Sequence, residues 1–196
     1  MSTDWKFNLL DLDILKEIAN IGAGNAATSL ANMLNTRIDM NVPEVNMPEF
    51  KHLPDILNGP ENIVAGILVS LSGDINGIMM YVMEESSACS LTNHILNKNN
   101  KSFADFDEMD YSVLTEMGNI LTSSYLSSMS ELMHFKIVPS IPYLAVDMAG
   151  AVLSVPAIEF GKIGDKVLLI KSTVNDNTYM SGYFILIPDF GKVSDK

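Results

Sequence analysis

The feature that most constrains this chain is an internal repeat. Asp13-x-x-x-Glu17-x-x-Asn20 recurs 99 residues later as Ser112-x-x-x-Glu116-x-x-Asn119. In each copy 22 residues separate the Asn from a proline, Pro43 in the first and Pro142 in the second. Leu15 matches Leu114, Ile21 matches Ile120 and Ile38 matches Ile137 in the same gapless register. Solenoid units repeat every ~20–50 residues, so this period is too long for one. It describes a duplicated half: repeats over about residues 8–97 and 107–190, within one domain of residues 1–196. A later segment repeats at another offset. Gly73-Asp74-Ile75-Asn76-Gly77-Ile78-Met79-Met80 resembles Gly161-Lys162-Ile163-Gly164-Asp165-Lys166-Val167-Leu168, 88 residues on. That offset predicts extra residues in the first half, between Pro43 and Glu61.

The elements follow from periodicity and breakers. Leu10 to Asn35 reads as one long helix with Ile14, Leu15, Ile18 and Ile21 on its apolar side and Asp11 or Asp13 at its start. Thr36–Met47 reads as a strand, ended by Pro43 and Pro48, that lies at an edge or bends there. Asn58-Gly59-Pro60 marks a turn. Ile63–Ser72 and Ile78–Met83 form a hairpin, and Glu84–Leu96 a second helix. Asn97–Ser102 is polar and reads as a poorly structured segment, the best linker candidate between the halves. A third helix runs from about Asp107 to Met133. Strands are predicted at about Lys136–Val146, Ala151–Phe160, Lys166–Thr173 and Tyr183–Ile187, with a turn at Asn175-Asp176-Asn177. Hairpins without regular strand–helix–strand crossovers favour an α+β fold with a mainly antiparallel sheet. The two pseudo-symmetric repeats, each a long helix plus strands, would share that sheet.

At ~100° per residue, Asp13, Glu17 and Asn20 fall within ~60° of one another on one helical stripe. Ile14, Ile18 and Ile21 point elsewhere, so the triplet faces out when the isoleucines face in. Ser112, Glu116 and Asn119 repeat the arrangement over Val113, Met117 and Ile120. Gly24 lies one turn beyond Asn20, and Ser123 holds that place in the second copy. Small residues there let another protein's surface come close. A lone Glu-x-x-Asn is ordinarily a solvated helix face. Asn is also a mediocre mid-helix residue, so its duplication suggests a use. An amide is no general base near neutral pH, but it donates and accepts hydrogen bonds and can orient a water. Orienting the water that attacks a phosphoryl group in line is such a task. A Glu one turn back can grip a cation on a partner. Neither site carries a Cys or His nucleophile, a metal cluster or a phosphate cradle. Such a helix completes an active site built by another protein.

At these residues the sequence resembles the CheC family of chemotaxis phosphatases. The family signature, Asp/Ser-x-x-x-Glu-x-x-Asn with a proline after 22 residues, is met at every defined position in both copies. Asn20-Ile21-Gly22-Ala23-Gly24-Asn25-Ala26 is also like the family. The resemblance implies hydrolysis of the aspartyl phosphate on the response regulator CheY. Asn20 and Asn119 would place the attacking water, and Glu17 and Glu116 would salt-bridge a lysine of CheY. Asp13, Gly24 and Ser112 would belong to the docking surface. The protein would need no cofactor of its own, the Mg2+ ion residing on CheY. The family further implies a regulatory partner, CheD, and its contact is placed at a second-half hairpin around Asp147-Met148-Ala149-Gly150. The CheX branch has one site per chain and dimerises, whereas two sites here favour a monomer. The flagellar switch protein FliY carries an added C-terminal domain, for which the stretch after the last strand leaves no room. The competing reading is a non-catalytic adaptor with vestigial sites that binds CheD or phosphorylated CheY.

Bulk properties agree. Twelve Lys and Arg against 24 Asp and Glu give a net charge of −12, which disfavours nucleic acid and anionic membrane surfaces. No apolar run approaches the ~18 residues of a spanning helix. The N-terminus lacks signal-peptide design. The single cysteine, Cys89, excludes an internal disulfide framework and reads as buried and inert in a cytoplasmic protein. The 13 methionines read as core filler rather than a Met-rich groove. Gly22-Ala23-Gly24 lacks the third glycine and the lysine of phosphate-binding loops. His52, His94 and His134 have no ligand spacing.

Overall fold

The computed structural model describes residues 12–34, 37–160, 166–176 and 178–188. In chain order the elements are helix α1 (Leu12–Leu34), strand β1 (Asp39–Asn46), a 3-10 turn (Phe50–His52), short helix α2 (Leu53–Ile56), β2 (Ile63–Gly73) and β3 (Gly77–Glu84). Helix α3 (Glu85–Leu96), a second 3-10 turn (Phe103–Asp105), α4 (Glu108–Met133), β4 (Ile137–Pro139), β5 (Tyr143–Met148), α5 (Ala149–Phe160), β6 (Leu168–Asp176) and β7 (Thr178–Pro188) complete the fold.

One antiparallel sheet joins all seven strands in the order β1-β6-β7-β3-β2-β4, with β5 also on β2. The order reads the same from either end: an edge strand, a hairpin, a hairpin, an edge strand. The edge strand of each half pairs with the hairpin of the other, β1 with β6 and β4 and β5 with β2. β3 and β7 meet at the centre through Tyr81 and Phe184, whose rings lie 4.6 Å apart. The prolines fall where the edges break. β1 shifts register between Asn41 and Glu44, around Pro43. The opposite edge is interrupted at 140–142, around Pro142. Proline cannot donate to a ladder, so it is tolerated at such edges.

Both faces of the sheet are covered. In β3, Ile78, Met80 and Val82 enter one buried cluster and Met79, Tyr81 and Met83 the other. This is the period-two alternation of a strand, buried on both sides. The larger cluster packs the sheet against α1 and α4 and includes Leu15, Leu30, Leu114, Leu121 and Tyr125. The smaller packs the other face against α2 and α5 through Leu53, Leu57, Val152 and Leu153. Met79, Met80, Met83, Met117 and Met129 are core, as composition suggested, whereas Met33, Met109 and Met148 are exposed.

Four expectations need correction. Ala151–Phe160 is helical, not a strand, within α5. Ala149, Val152, Leu153 and Pro156 are buried, an i, i+3, i+4, i+7 pattern that marks a helix. The β-branched content and Pro156 masked that signal. Consequently Asp147 and Met148 end β5 and Ala149 and Gly150 open α5, so no hairpin exists there. The Asn97–Ser102 linker is tied down: Asn93 and Asn100 bond each other twice, and Lys98 reaches α4. Finally, the 88-residue match does not relate equivalent strands. Leu71 pairs with Gly77 about residue 74, and Asp176 with Thr178 about residue 177, so the two hairpins are 103 apart. The second half, not the first, is the longer before its hairpin. Gly161–Asp165, the other side of that match, lies outside the described residues, as do Leu10, Asp11 and the N-terminus.

Candidate functional site: two polar helix faces

The burial of α1 and α4 decides what their polar residues can do. On α1, Leu15, Ile18, Ala19, Gly22, Ala23, Ala26 and Leu30 are buried. Drawn at ~100° per residue, that stripe is centred roughly 150° from Asp13, Glu17 and Asn20, which are all exposed. The triplet is therefore more nearly opposite the core than the isoleucine pattern implied. Ile14 is the reason. It was expected to be buried, but it is 48% exposed, and Ile21 is only half-buried. The buried seam runs instead through small residues that carry little hydrophobic signal.

Those small residues bring the helices together. A Cβ on Gly22 would stand 2.9 Å from Tyr125 Cδ1 and 3.2 Å from Tyr125 Cα, so α4 lies directly on α1 there. Asn25 donates from Nδ2 to Ser128 Oγ at 3.2 Å across the same seam. The glycine that could have belonged to a phosphate loop is thus a mid-helix contact. Gly24 faces the other way, with nothing within 4 Å of where its Cβ would be.

The second triplet repeats the pattern. Leu114, Met117, Gly118, Leu121, Tyr125 and Met129 are buried, and Ser112 and Glu116 are exposed. Asn119 is half-buried, with Ser123 Oγ donating to its Oδ1 at 3.5 Å. Val113 and Ile120, expected in the core, are half-buried at its margin. At the first site, Asp13 and Lys16 pair at 3.6 Å on the exposed surface.

The start of α4 is built more heavily than a helix start needs. Asp107 is the N-cap, accepting from the backbone N–H of Met109 and Asp110, while Asp110 accepts from the N–H of Asp107 at 2.9 Å. Such a reciprocal box satisfies donors that the helix leaves orphaned. Asp110 is fully buried and also receives Lys98 Nζ at 2.8 Å and Asn100 Nδ2 at 2.9 Å. The hydrogen bond from Lys98 holds the Asp107 carboxyl at about 2, helped by the backbone N–H groups of Asp110 and Met109. The sequence reading passed over Asp110, although Asp107-x-x-Asp110 before an apolar run is a capping signal.

The remaining site candidates separate from these helices. Asp147 is exposed at the end of β5. Gly150 is half-buried, and its N–H donates to Pro60 O at 2.9 Å. Neither approaches the triplets in sequence or element. Cys89 is buried on α3, and burial, then Glu85, pushes its thiol above the usual range. Among the described residues no three His, Cys, Asp or Glu side chains group as metal ligands, and no helix is long and apolar enough to cross a membrane.

The repeated polar triplets have counterparts in known proteins. The model of the CheC-like family matches twice, at residues 10–47 and 109–143, and each match contains one triplet. The chain is 32% identical over 184 residues to a Bacillus subtilis protein named CheY-P phosphatase CheC, covering 91% of this chain and 88% of that one. The chain belongs to the CheC-like family. Its fold is that of Thermotoga maritima FliY, with a TM-score of 0.71 at 20% identity over 91% of this chain and 90% of that one. It is also similar to the CheX complex with CheY, BeF3 and Mg2+ from Borrelia burgdorferi, at a TM-score of 0.50 and 19% identity over 85% of this chain and 95% of that one. The α+β architecture expected of a CheC-like chain, with its antiparallel sheet and long helices, is the architecture found.

Proposed function

We propose that this CheC-like protein is a phosphatase that hydrolyses the aspartyl phosphate of CheY, using the exposed faces of α1 and α4 as two equivalent sites. The observation that carries this reading is the paired triplet: Asp13, Glu17 and Asn20 are exposed on one helix, and Ser112 and Glu116 are exposed beside half-buried Asn119 on the other, in a chain 32% identical to a CheY-P phosphatase. The reaction needs a water delivered in line with the scissile P–O bond. As the new P–O bond forms, the aspartyl oxygen leaves, and the products are inorganic phosphate and the free carboxylate. Asn20 and Asn119 enter the partner's site and hydrogen-bond that water. Glu17 and Glu116, one turn back, pair with a lysine of CheY and fix the approach. Mg2+ belongs to CheY, where it neutralises charge on the phosphoryl oxygens. Asp13 and Ser112 flank the contact, and Gly24 keeps its margin open.

CheD is assigned to the corner where β5 meets α5. Asp147 and Met148 are exposed there, and Gly150 fixes the corner against the Pro60 turn. The protein acts as a monomer, since each chain carries both sites.

The test is the lifetime of phosphorylated CheY with wild type and with the Asn20→Ala, Asn119→Ala double variant, alongside affinity for CheY loaded with beryllofluoride. Positioning of the water is worth on the order of 10²-fold or more, so the double variant loses that rate while still binding. Each single variant keeps part of it. A double variant as fast as wild type removes the water-orienting role and leaves an adaptor.

A further inference from the structure

The second triplet has an apolar recess next to it. There α1, α3 and α4 converge on a cavity of about 170 Å3. Met33 closes it from the end of α1, Ile95 from the end of α3, and Met109 and Val113 from the first turns of α4. Ser112 and Glu116 complete its wall, so the cavity opens onto the triplet itself. Two of its apolar walls face water: Met33 is 38% and Met109 59% exposed.

We infer that this cavity is a specificity pocket of the second site, taking one aliphatic side chain that CheY presents next to the lysine held by Glu116. The inference rests on the proposed docking of CheY at α4. Three observations select that occupant. The cavity is well below the ~300 Å3 at which small-molecule sites begin, so it fits a side chain and not a cofactor. Its walls are apolar apart from Ser112 and the carboxylate of Glu116, which suits an aliphatic group neighboured by a cation. It is continuous with the triplet, so a regulator placed over Asn119 already lies over its mouth. Flexible methionine walls adapt to the shape of the inserted group. The position of Met109 corresponds to Leu10 in the first half, outside the described residues. The wall given by α3 has no counterpart after β7 among the described residues. Met33 and Met109 therefore line a pocket described at the second site.

The experiment isolates each site. In an Asn20→Ala background only the second site turns over, and in an Asn119→Ala background only the first. Met33→Gln with Met109→Gln should raise KM for phosphorylated CheY about tenfold in the first background, leave kcat unchanged, and change nothing in the second. Met109→Glu alone, at an exposed position in the first turn of α4, provides an independent variant that keeps the fold and should also raise KM in the first background only. Leu132→Gln, an equally exposed apolar residue at the far end of α4, is the control and should have no effect. An unchanged KM in the Asn20→Ala background overturns the pocket, and so does an equal rise in both backgrounds. Loss of the proposed phosphatase reading looks different: it is turnover that survives in the Asn20→Ala, Asn119→Ala double variant.

Discussion

Helices α1 and α4 carry the same polar triplet, yet they are held in different ways. α1 is seated by a seam of small residues, with Gly22 pressed on Tyr125, and its triplet stands in open solvent beside Gly24. α4 is seated by larger side chains, and its start is fastened to the segment that follows α3, where Lys98 meets Asp107 and both Lys98 and Asn100 meet the fully buried Asp110. The triplet geometry comes from helical spacing alone and survives duplication. The seam behind it is not copied residue for residue, since Leu121 stands where Gly22 does and Ala26 where Tyr125 does, and that is where two equivalent chemistries can acquire unequal docking.

Reversing the charge at each site gives the largest test of that inequality. Glu17→Lys and Glu116→Lys each set a lysine against the regulator's lysine, and a like-charge contact of this kind costs several kcal/mol. Each should abolish docking of beryllofluoride-loaded CheY at its own site, seen as loss of one of two binding events in titration calorimetry. Glu116→Lys should remove the tighter event, because the pocket lies beside Glu116. Removal of the weaker event instead would reverse the order of the sites.

The seam between the helices is the next target. Gly22→Leu drives a side chain into the ring and backbone of Tyr125, and overpacking of this kind costs about 1–3 kcal/mol. A lowered urea midpoint at unchanged slope would register it. Because the seam sets both helices, turnover at both sites should fall together. Stability equal to wild type would mean that α4 is free to move away from α1.

How much of this was readable in the sequence depends on residue size. The triplets, the edge-breaking prolines and the β2–β3 hairpin were legible because each has a fixed spacing or a turn residue. The buried side of α1 was misjudged, since Ala19, Gly22, Ala23 and Ala26 bury a seam without raising the hydrophobic signal, while exposed Ile14 raises it without being buried. α5 was misread because short apolar runs with valine and proline look alike as strand or helix. The pairing of each half's edge strand with the other half's hairpin is a non-local choice that no local pattern encodes. Nor does any spacing show that α3 closes a pocket over α4.

Gly24 offers a smaller and cleaner contrast. Nothing lies within 4 Å of its would-be Cβ, so Gly24→Leu meets no clash, and replacing a mid-helix glycine should stabilise the fold by about 0.5–1 kcal/mol. Docking at the first site should nevertheless weaken a few-fold, measured in an Asn119→Ala background, because the leucine stands one turn from Asn20. Ser123→Leu is the matching change at the second site. If Gly24→Leu leaves KM unaltered, the partner does not approach that end of α1.

The smallest effect concerns the fastening at the start of α4. Asp107→Ser keeps a good N-cap but removes the carboxylate that Lys98 meets at 2.8 Å. The folded-state value of Asp107, about 2, lies below its ordinary 3.8, so the unfolded chain takes up the proton first as pH falls. The ion pair's contribution is therefore fully present above that ordinary value and disappears as pH drops through about 2. Wild type should exceed Asp107→Ser in stability by a constant margin from neutral pH down to about pH 5, and the margin should close by pH 2. Asp107 is solvent-exposed, so the margin should also shrink with added salt. Thermal melts of the two proteins across that pH range check it. A margin that persists unchanged at pH 2 would assign the loss to the cap and not to the charge.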